Sequence, residues 1–406
     1  MLITQDCDRN STFLEYPAAN LWSYTHADEH EGLRPTFSET YGALIPIDRR
    51  NFQEMVVADS GGTSNPFPLK AVAVIGATIS VAAIAFAYTA GWLTPHRLTP
   101  TRLVAALQPS QGPALGHRRN HAKGICFTGI FDANGNGSEL SRAKMLEHGQ
   151  YAVVGRFNVA GGDPKISYGM AAVRGLGIRI MSPDGQEWRS AMIDAPVFAA
   201  PTPEAFFEFL TASKDPNGFK QYSSMHPEIL TFISWVKGHG RNESWTEDQF
   251  NSLDSFVFID RSGAERVVRW SFIPLAKPVT VAAQELAKLD SNFLEEDIIQ
   301  RVSVAPARWD LVITVANPGD PTSDPTRAWP ADRRTVSVGT LTVRQVEPEV
   351  DGPCRDINFD PAVLPAGITT SDDPFPAARS AAYRVSYDSR LAESSHYPQS
   401  ETGGKQ

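Results

Sequence analysis

The most apolar part of the chain is an uncharged run of 23 residues from Ala71 to Leu93. At about 1.5 Å per residue, a helix of this length spans the hydrocarbon core of a bilayer. Lys70 precedes the run and Trp92 lies near its end, where interfacial side chains are common. The pattern predicts a transmembrane anchor. A cleaved signal peptide, suggested by Ala85-Phe86-Ala87, and a buried core helix are the alternatives.

From about residue 117 onward, short apolar runs alternate with turn residues, as strands do. The clearest predicted hairpin turn is Arg261-Ser262-Gly263-Ala264. At least six strands are predicted, over 151–159, 173–181, 255–260, 266–272, 309–315 and 335–345. Amphipathic helices are predicted over 202–210, 227–237, 281–289 and 293–302. This pattern favours an α+β fold, with helices packed around an antiparallel β-barrel.

The remaining segments set the predicted boundaries. Residues 1–70 have no sustained periodicity and predict a poorly ordered extension, within which Met55 is an alternative start. A linker and short helix are predicted over 94–116, the folded domain over 117–392, and a disordered tail over 393–406.

Composition narrows the class of protein. Apolar residues make up 42% of the chain, enough for a packed core. A net charge of −9 argues against a nucleic-acid partner, which requires a basic surface. Cys7, Cys126 and Cys354 are too few for a disulfide framework or a zinc site. The sequence leaves open whether Cys126 and Cys354 form a bridge in an oxidising compartment.

One candidate for chemistry lies near the C-terminus, where Arg379 precedes Tyr383 by four residues and Arg390 follows it by seven. If this segment is helical, the three side chains share one face. A phenol keeps its proton at neutral pH, and a nearby guanidinium favours the phenolate that a metal requires. An ordinary surface helix would explain the same spacing.

A second candidate is His121, within Arg118-Arg119-Asn120-His121-Ala122-Lys123-Gly124. A histidine in isolation is more often structural than catalytic. Here, however, several segments in the same order resemble the catalase superfamily, and most closely its small catalase-related peroxidases with a membrane anchor. The segments are His121–Gly124, Arg156–Gly162, Arg174–Arg179, Pro196–Phe198, Trp329-Pro330, Val338–Leu341, Phe359–Pro361, Pro365–Ile368 and Arg379–Tyr383.

The resemblance implies a catalase-like barrel with haem b between His121 and Tyr383. Tyr383 would ligate the iron as a phenolate kept deprotonated by Arg379, and His121 would move a proton on bound peroxide. Three arginines match positions that face the haem propionates, namely Arg118, Arg156 and Arg390. Phe206 matches an aromatic position beside the haem, although it would serve equally well as a core residue.

The sequence departs from the family at the distal side of the haem. Relatives with high catalase activity carry an asparagine where this chain has Ile193, followed by Asp194. Isoleucine cannot donate a hydrogen bond to peroxide. Asn120, beside His121, is a candidate for a displaced polar contact. The family's C-terminal helical domain and N-terminal arm are also expected to be missing, which implies a minimal barrel, monomeric or dimeric, with an open distal side.

These features together predict a haem-dependent peroxidase that acts on hydrogen peroxide or organic peroxides with a small organic reductant and has little catalase activity. A fatty-acid hydroperoxide-rearranging enzyme of the allene oxide synthase type and a non-catalytic haem sensor or carrier are the alternatives. The haem domain is expected to be exported, either anchored to the membrane or soluble after signal cleavage.

Overall fold

The computed structural model describes residues 69–90, 92–93 and 97–398. The chain divides into two compact units, Met1–Ala77 and Thr78–Gln406. Of the first unit, residues 69–77 are described, and they belong to helix α1, Leu69–Thr89. The predictions for residues 1–68, including Met55, and for 399–406 lie outside the described residues.

Eight antiparallel strands of the second unit close into a barrel, which confirms the predicted fold class. The strands of this unit are β1 Gly124–Ala133, β2 Gly149–Val159, β3 Arg174–Met181, β4 Glu187–Ile193, β5 Arg241–Asn242, β6 Phe250–Asn251, β7 Phe256–Ile259, β8 Glu265–Pro274, β9 Thr280–Val281, β10 Ala307–Val315, β11 Thr335–Pro348 and β12 Ile368–Thr370. Around the barrel the order is β10-β11-β1-β2-β3-β4-β6-β8, and β8 pairs back to β10. Strands β7 and β12 extend the sheet beyond β8, while β5 and β9 form a separate pair.

Alternating side chains of the barrel strands fill its interior with aromatic rings. Phe157 of β2 is fully buried, and its ring centroid lies 5.6 Å from that of Trp245 and 5.6 Å from that of Trp309. Arg156 and Asn158, its neighbours along β2, point to the opposite face of the strand. Strand β2 therefore contributes its apolar side chains to the core and its polar ones to the outer wall of the barrel.

Helices surround the barrel, namely α2 Pro100–Leu107, α3 Pro203–Ala212, α4 Pro216–Met225, α5 Ile229–Gly238, α6 Ala283–Leu286, α7 Phe293–Val304 and α8 Phe375–Ala392. Thr202 caps α3 by accepting a hydrogen bond from the Ala205 amide, with Pro203 in the first turn. Helix α2 packs against α8 and α3. The predicted helix over 281–289 is shorter than expected: Val281 belongs to β9, and the helix spans Ala283–Leu286.

In the described part of the chain, one helix, Lys70–Thr89, is long and apolar enough to cross a membrane, with a mean hydropathy of 2.1. None of that stretch is buried. An N-terminal signal sequence has the same properties.

Candidate active site

Helix α8 carries the predicted Arg379, Tyr383 and Arg390. The Arg379 guanidinium lies 5.9 Å from the centre of the Tyr383 ring. Arg379 is held by an ion pair with the Asp254 carboxylate and by a 2.7 Å hydrogen bond to the Ala191 carbonyl. Burial lowers the pKa of Arg379, but Asp254 and Tyr383 outweigh it and raise that pKa above its usual value. A permanently charged guanidinium therefore lies beside the phenol.

Tyr383 is half-buried against a small apolar cluster that includes Phe359 and the cysteines Cys126 and Cys354. These cysteines form a disulfide with an S–S distance of 2.02 Å and a sequence separation of 228. The bridge joins β1 to the segment of residues 349–357, which we call the strap. The proximal helix therefore rests on a covalently fixed surface.

His121 lies in the turn that precedes β1, and its φ of 55° is in the left-handed region. The Asn120 side-chain oxygen accepts hydrogen bonds of 2.9 Å from the amides of His121 and Gly161. Arg156 donates to the His121 carbonyl at 2.8 Å. These bonds offset the backbone strain, which is of order 1–3 kcal/mol for such a residue. The oxygen of Asn120 thus supports the turn.

The His121 imidazole is held in its neutral form. Burial lowers its pKa to about 4, and the charges of Arg156, Arg379 and Arg118 act in the same direction. The Asn158 side chain on β2 opposes them. Among described residues, the buried His121 Nδ1 and Asn158 Oδ1 have no hydrogen-bond partner. Because Arg379 contributes to this shift, His121 and helix α8 lie within electrostatic reach of each other.

The three remaining arginines, Arg118, Arg156 and Arg390, converge on one region with the carboxylate of Glu349, a residue that the sequence analysis did not select. Arg118 Nε lies 3.0 Å from Glu349 Oε1, and Arg156 Nη2 lies 2.6 Å from Glu349 Oε2. Burial lowers the pKa of Arg118 to about 10; Glu349 opposes the shift, whereas the charges of Arg156 and Arg390 add to it. We call Arg118, Arg156, Arg390 and Glu349 the arginine clamp.

The clamp fits the two propionates of a haem. Three guanidinium charges against one carboxylate leave an excess of two positive charges, which two propionates would neutralise. Arg156 and Arg390 are 1% and 3% exposed, yet Arg156 Nε and Arg390 Nη2 have no hydrogen-bond partner among described residues. Buried donors of this kind are rare without a ligand. A dicarboxylate porphyrin would supply their acceptors.

The residues at the expected asparagine position have other partners. Ile193 ends β4, opposite Gly175 and Asn251. Asp194 accepts a 3.0 Å hydrogen bond from the Arg174 amide. Burial and the nearby Asp248 raise the pKa of Asp194.

Phe206 packs beside the proximal helix. It belongs to an apolar cluster that includes Ala382 and Val385, which lie on either side of Tyr383 in the sequence of α8. Its ring lies 4.9 Å from that of Phe198, which in turn lies 5.2 Å from that of Phe375. Phe206 could therefore line a haem pocket or serve as an ordinary core residue.

The structure thus brings His121, Arg118, Arg156 and Arg379 into one electrostatic environment. Sequence reasoning missed Asn158, Asp254 and Glu349. Asn158 lies two residues after Arg156, and this spacing on a strand places both side chains on one face, so the sequence could have identified it. Asp254 and Glu349 are recognisable only from their partners, which are distant in sequence.

Comparison with known proteins places these features in a wider context. The family profile described as Catalase matches residues 81–399. A "Catalase-related peroxidase" of Synechococcus elongatus is 34% identical over 79% of this chain and 95% of its own length. Another, of Mycolicibacterium paratuberculosis, is 29% identical over 71% of this chain and 94% of its own length. A crystal structure of a fungal catalase superposes with a TM-score of 0.62 at 17% identity, covering 68% of this chain and 60% of that one.

Proposed function

The chain belongs to the catalase family, and we propose that it is a haem b-dependent peroxidase that reduces hydrogen peroxide or organic peroxides with a small organic donor. Its catalase activity is weak or absent. The observation that carries the proposal is the convergence of a neutral histidine, an arginine-paired tyrosine and a clamp with two excess positive charges.

Each residue has a distinct role. A bound haem supplies an iron centre at which peroxide is reduced. Tyr383 is its protein ligand, and Arg379 stabilises the phenolate. The neutral His121 accepts a proton from peroxide and returns it to the leaving oxygen, so that water rather than hydroxide departs. Asn158 orients the imidazole, and the arginine clamp holds the propionates.

The weakness of catalase turnover follows from Ile193. Oxygen evolution requires a second peroxide molecule to be held as the electron donor, and a side-chain amide helps to hold and polarise peroxide. Isoleucine offers no donor, and Asp194 is engaged with the Arg174 backbone. An organic donor does not depend on this contact.

The deciding experiment compares oxygen evolution with oxidation of a phenolic dye by the haem-loaded full-length protein. Dye oxidation should dominate. Rapid oxygen evolution with negligible dye oxidation would contradict the proposal. Ile193→Asn should raise oxygen evolution relative to dye oxidation, whereas Ile193→Val, the matched control, should not. Tyr383→Phe should alter the absorption spectrum, since it removes the ligand.

We also propose that the haem domain is exported. The Cys126–Cys354 bridge supports an oxidising compartment, because such bridges are rare in reducing ones. The apolar helix Lys70–Thr89 supports an anchor or a signal sequence.

A lipid hydroperoxide is the second candidate substrate, favoured by the apolar helix and by the phenylalanines packed beside α8. Product analysis separates the two reactions. Rearranged products such as an allene oxide or ketol would favour isomerisation, whereas an alcohol together with an oxidised donor would favour peroxidase chemistry.

A further inference from the structure

Glu349 lies immediately after β11, and its carboxylate bridges the guanidiniums of the half-buried Arg118 and the buried Arg156. One oxygen pairs with Arg118 and the other with Arg156, while its own side chain remains 20% exposed. The positive charges of Arg156 and Arg118 outweigh burial and lower the pKa of Glu349. The residue is therefore anionic at neutral pH and offers the arginines the same chemical group as a propionate.

The charge of Glu349 matters more for neutralising the clamp arginines than for holding them in position. Backbone carbonyls also hold both arginines: Arg118 donates to Ile357, Cys354 and Arg355 at 2.9–3.2 Å. Arg156 donates to the carbonyls of His121 and Ala122. Removing the Glu349 charge would leave these hydrogen bonds in place. It would also leave three guanidiniums, two of them buried, without a carboxylate partner inside the clamp, an arrangement that is costly in the absence of a ligand.

We propose that Glu349 is the internal counter-charge of the clamp: it stabilises the haem-free protein and weakens the affinity of the clamp for porphyrin carboxylates. This inference rests on the proposed haem binding. The same negative charge that neutralises the arginines in the empty pocket repels the incoming propionates. Glu349 is thus a positioning residue. It stabilises the protein before haem binds, and it limits the affinity for haem.

The test is Glu349→Gln in the full-length protein, studied with and without haem. The proposal predicts that the stability of the haem-free protein and the affinity for haem change in opposite directions. The melting temperature of the haem-free protein should fall, whereas the Kd for haem, measured by absorbance titration, should decrease by about tenfold. A residue that merely supports the fold would weaken both, so unchanged or weaker haem binding by Glu349→Gln would overturn the inference.

Two controls isolate the charge effect. Glu347→Gln makes the same charge change two residues away, at a side chain without an ion pair among the described residues, and should leave both measurements near wild type. Haem dimethyl ester carries no propionate charge, so Glu349→Gln should not tighten its binding. Equal tightening for the ester would contradict the electrostatic explanation.

Failure of the inference is distinguishable from failure of the proposed function. If the wild-type protein does not bind haem, the proposed function fails. If the wild type binds haem through Tyr383 but Glu349→Gln binds it less tightly, the counter-charge inference alone fails. Should Glu349→Gln not fold without haem, Glu349→Asp, which withdraws the carboxylate by one methylene, should show both effects with the same signs and smaller size.

Discussion

At the scale of single residues, the proposed chemistry depends on a histidine that stays neutral. The pKa of His121 is lowered to about 4 by burial and by three arginine charges, so the imidazole is free to accept a proton across the neutral range. A solvent-exposed histidine would be partly protonated near pH 6.5. The surrounding arginines therefore keep the base available as well as binding anions.

This environment predicts a pH profile. The rate constant for reaction of the haem-loaded protein with hydrogen peroxide should be nearly constant from neutral pH downward. It should then fall as the pH approaches about 4, where His121 becomes protonated. Stopped-flow absorbance measures this rate. His121→Gln should lower it about 10²–10⁴-fold and remove the acidic limb. An unchanged rate in this variant would exclude His121 as the base.

A functional residue could be predicted from the sequence when neighbouring residues in the chain marked it out, and not when only distant ones did. Spacing along one helix brought Arg379, Tyr383 and Arg390 together, and the resemblance added His121 on the opposite side of the pocket. Glu349 and Asp254 had no such signal. Acidic residues are common in the chain, and only folding shows which of them face a buried arginine.

At the scale of elements, the strap of residues 349–357 links the proximal and distal sides. Its carbonyls accept hydrogen bonds from Arg118 and Arg390, and the disulfide fixes it to β1. Strand β1, helix α8 and the clamp consequently share one covalently braced surface.

Loss of this brace should affect stability and haem binding together. Replacing Cys126 and Cys354 with alanine should lower the free energy of unfolding by about 2–5 kcal/mol. It should also weaken haem binding, because the strap orients two clamp arginines. Denaturant unfolding and haem titration measure the two effects. Cys7→Ala controls for loss of a thiol. Wild-type haem affinity in the double variant would contradict a role for the strap.

Elements with strong periodicity could be predicted and others could not. The hairpin of β7 and β8 has the expected turn at Arg261–Ala264. Strand β1 was missed because its apolar pattern is interrupted by Gly129, where the register shifts and a side chain would meet the Thr342 carbonyl at 2.3 Å. Helix α4 was missed because its sequence is largely polar. For β1, pairing with the distant strand β11 decides the local structure.

At the scale of the whole molecule, the apolar helix predicts where the protein resides. The full-length chain should remain with membranes after alkaline carbonate extraction, since about 20 apolar residues are enough to span a bilayer. Replacing Val81 and Ile84 with lysine should release it. A soluble, shortened product, detected by mass spectrometry, would favour signal cleavage over an anchor.

The barrel could be predicted as a class, because strand patterns alternate with helices over the whole domain. The strand pairs that close it could not. The pairing of β8 with β10 and of β11 with β1 depends on which strand edges meet in space, and hydrophobic periodicity carries no such information.

The pairing of β1 with β11 also constrains the order of folding. Ala133 pairs with Gly339 and Ile125 with Pro348, so more than 200 residues must be synthesised before one edge of β1 is covered. Contacts this distant slow folding, and an uncovered edge invites intermolecular pairing. The nascent domain therefore has to keep β1 from aggregating until almost the entire barrel has emerged.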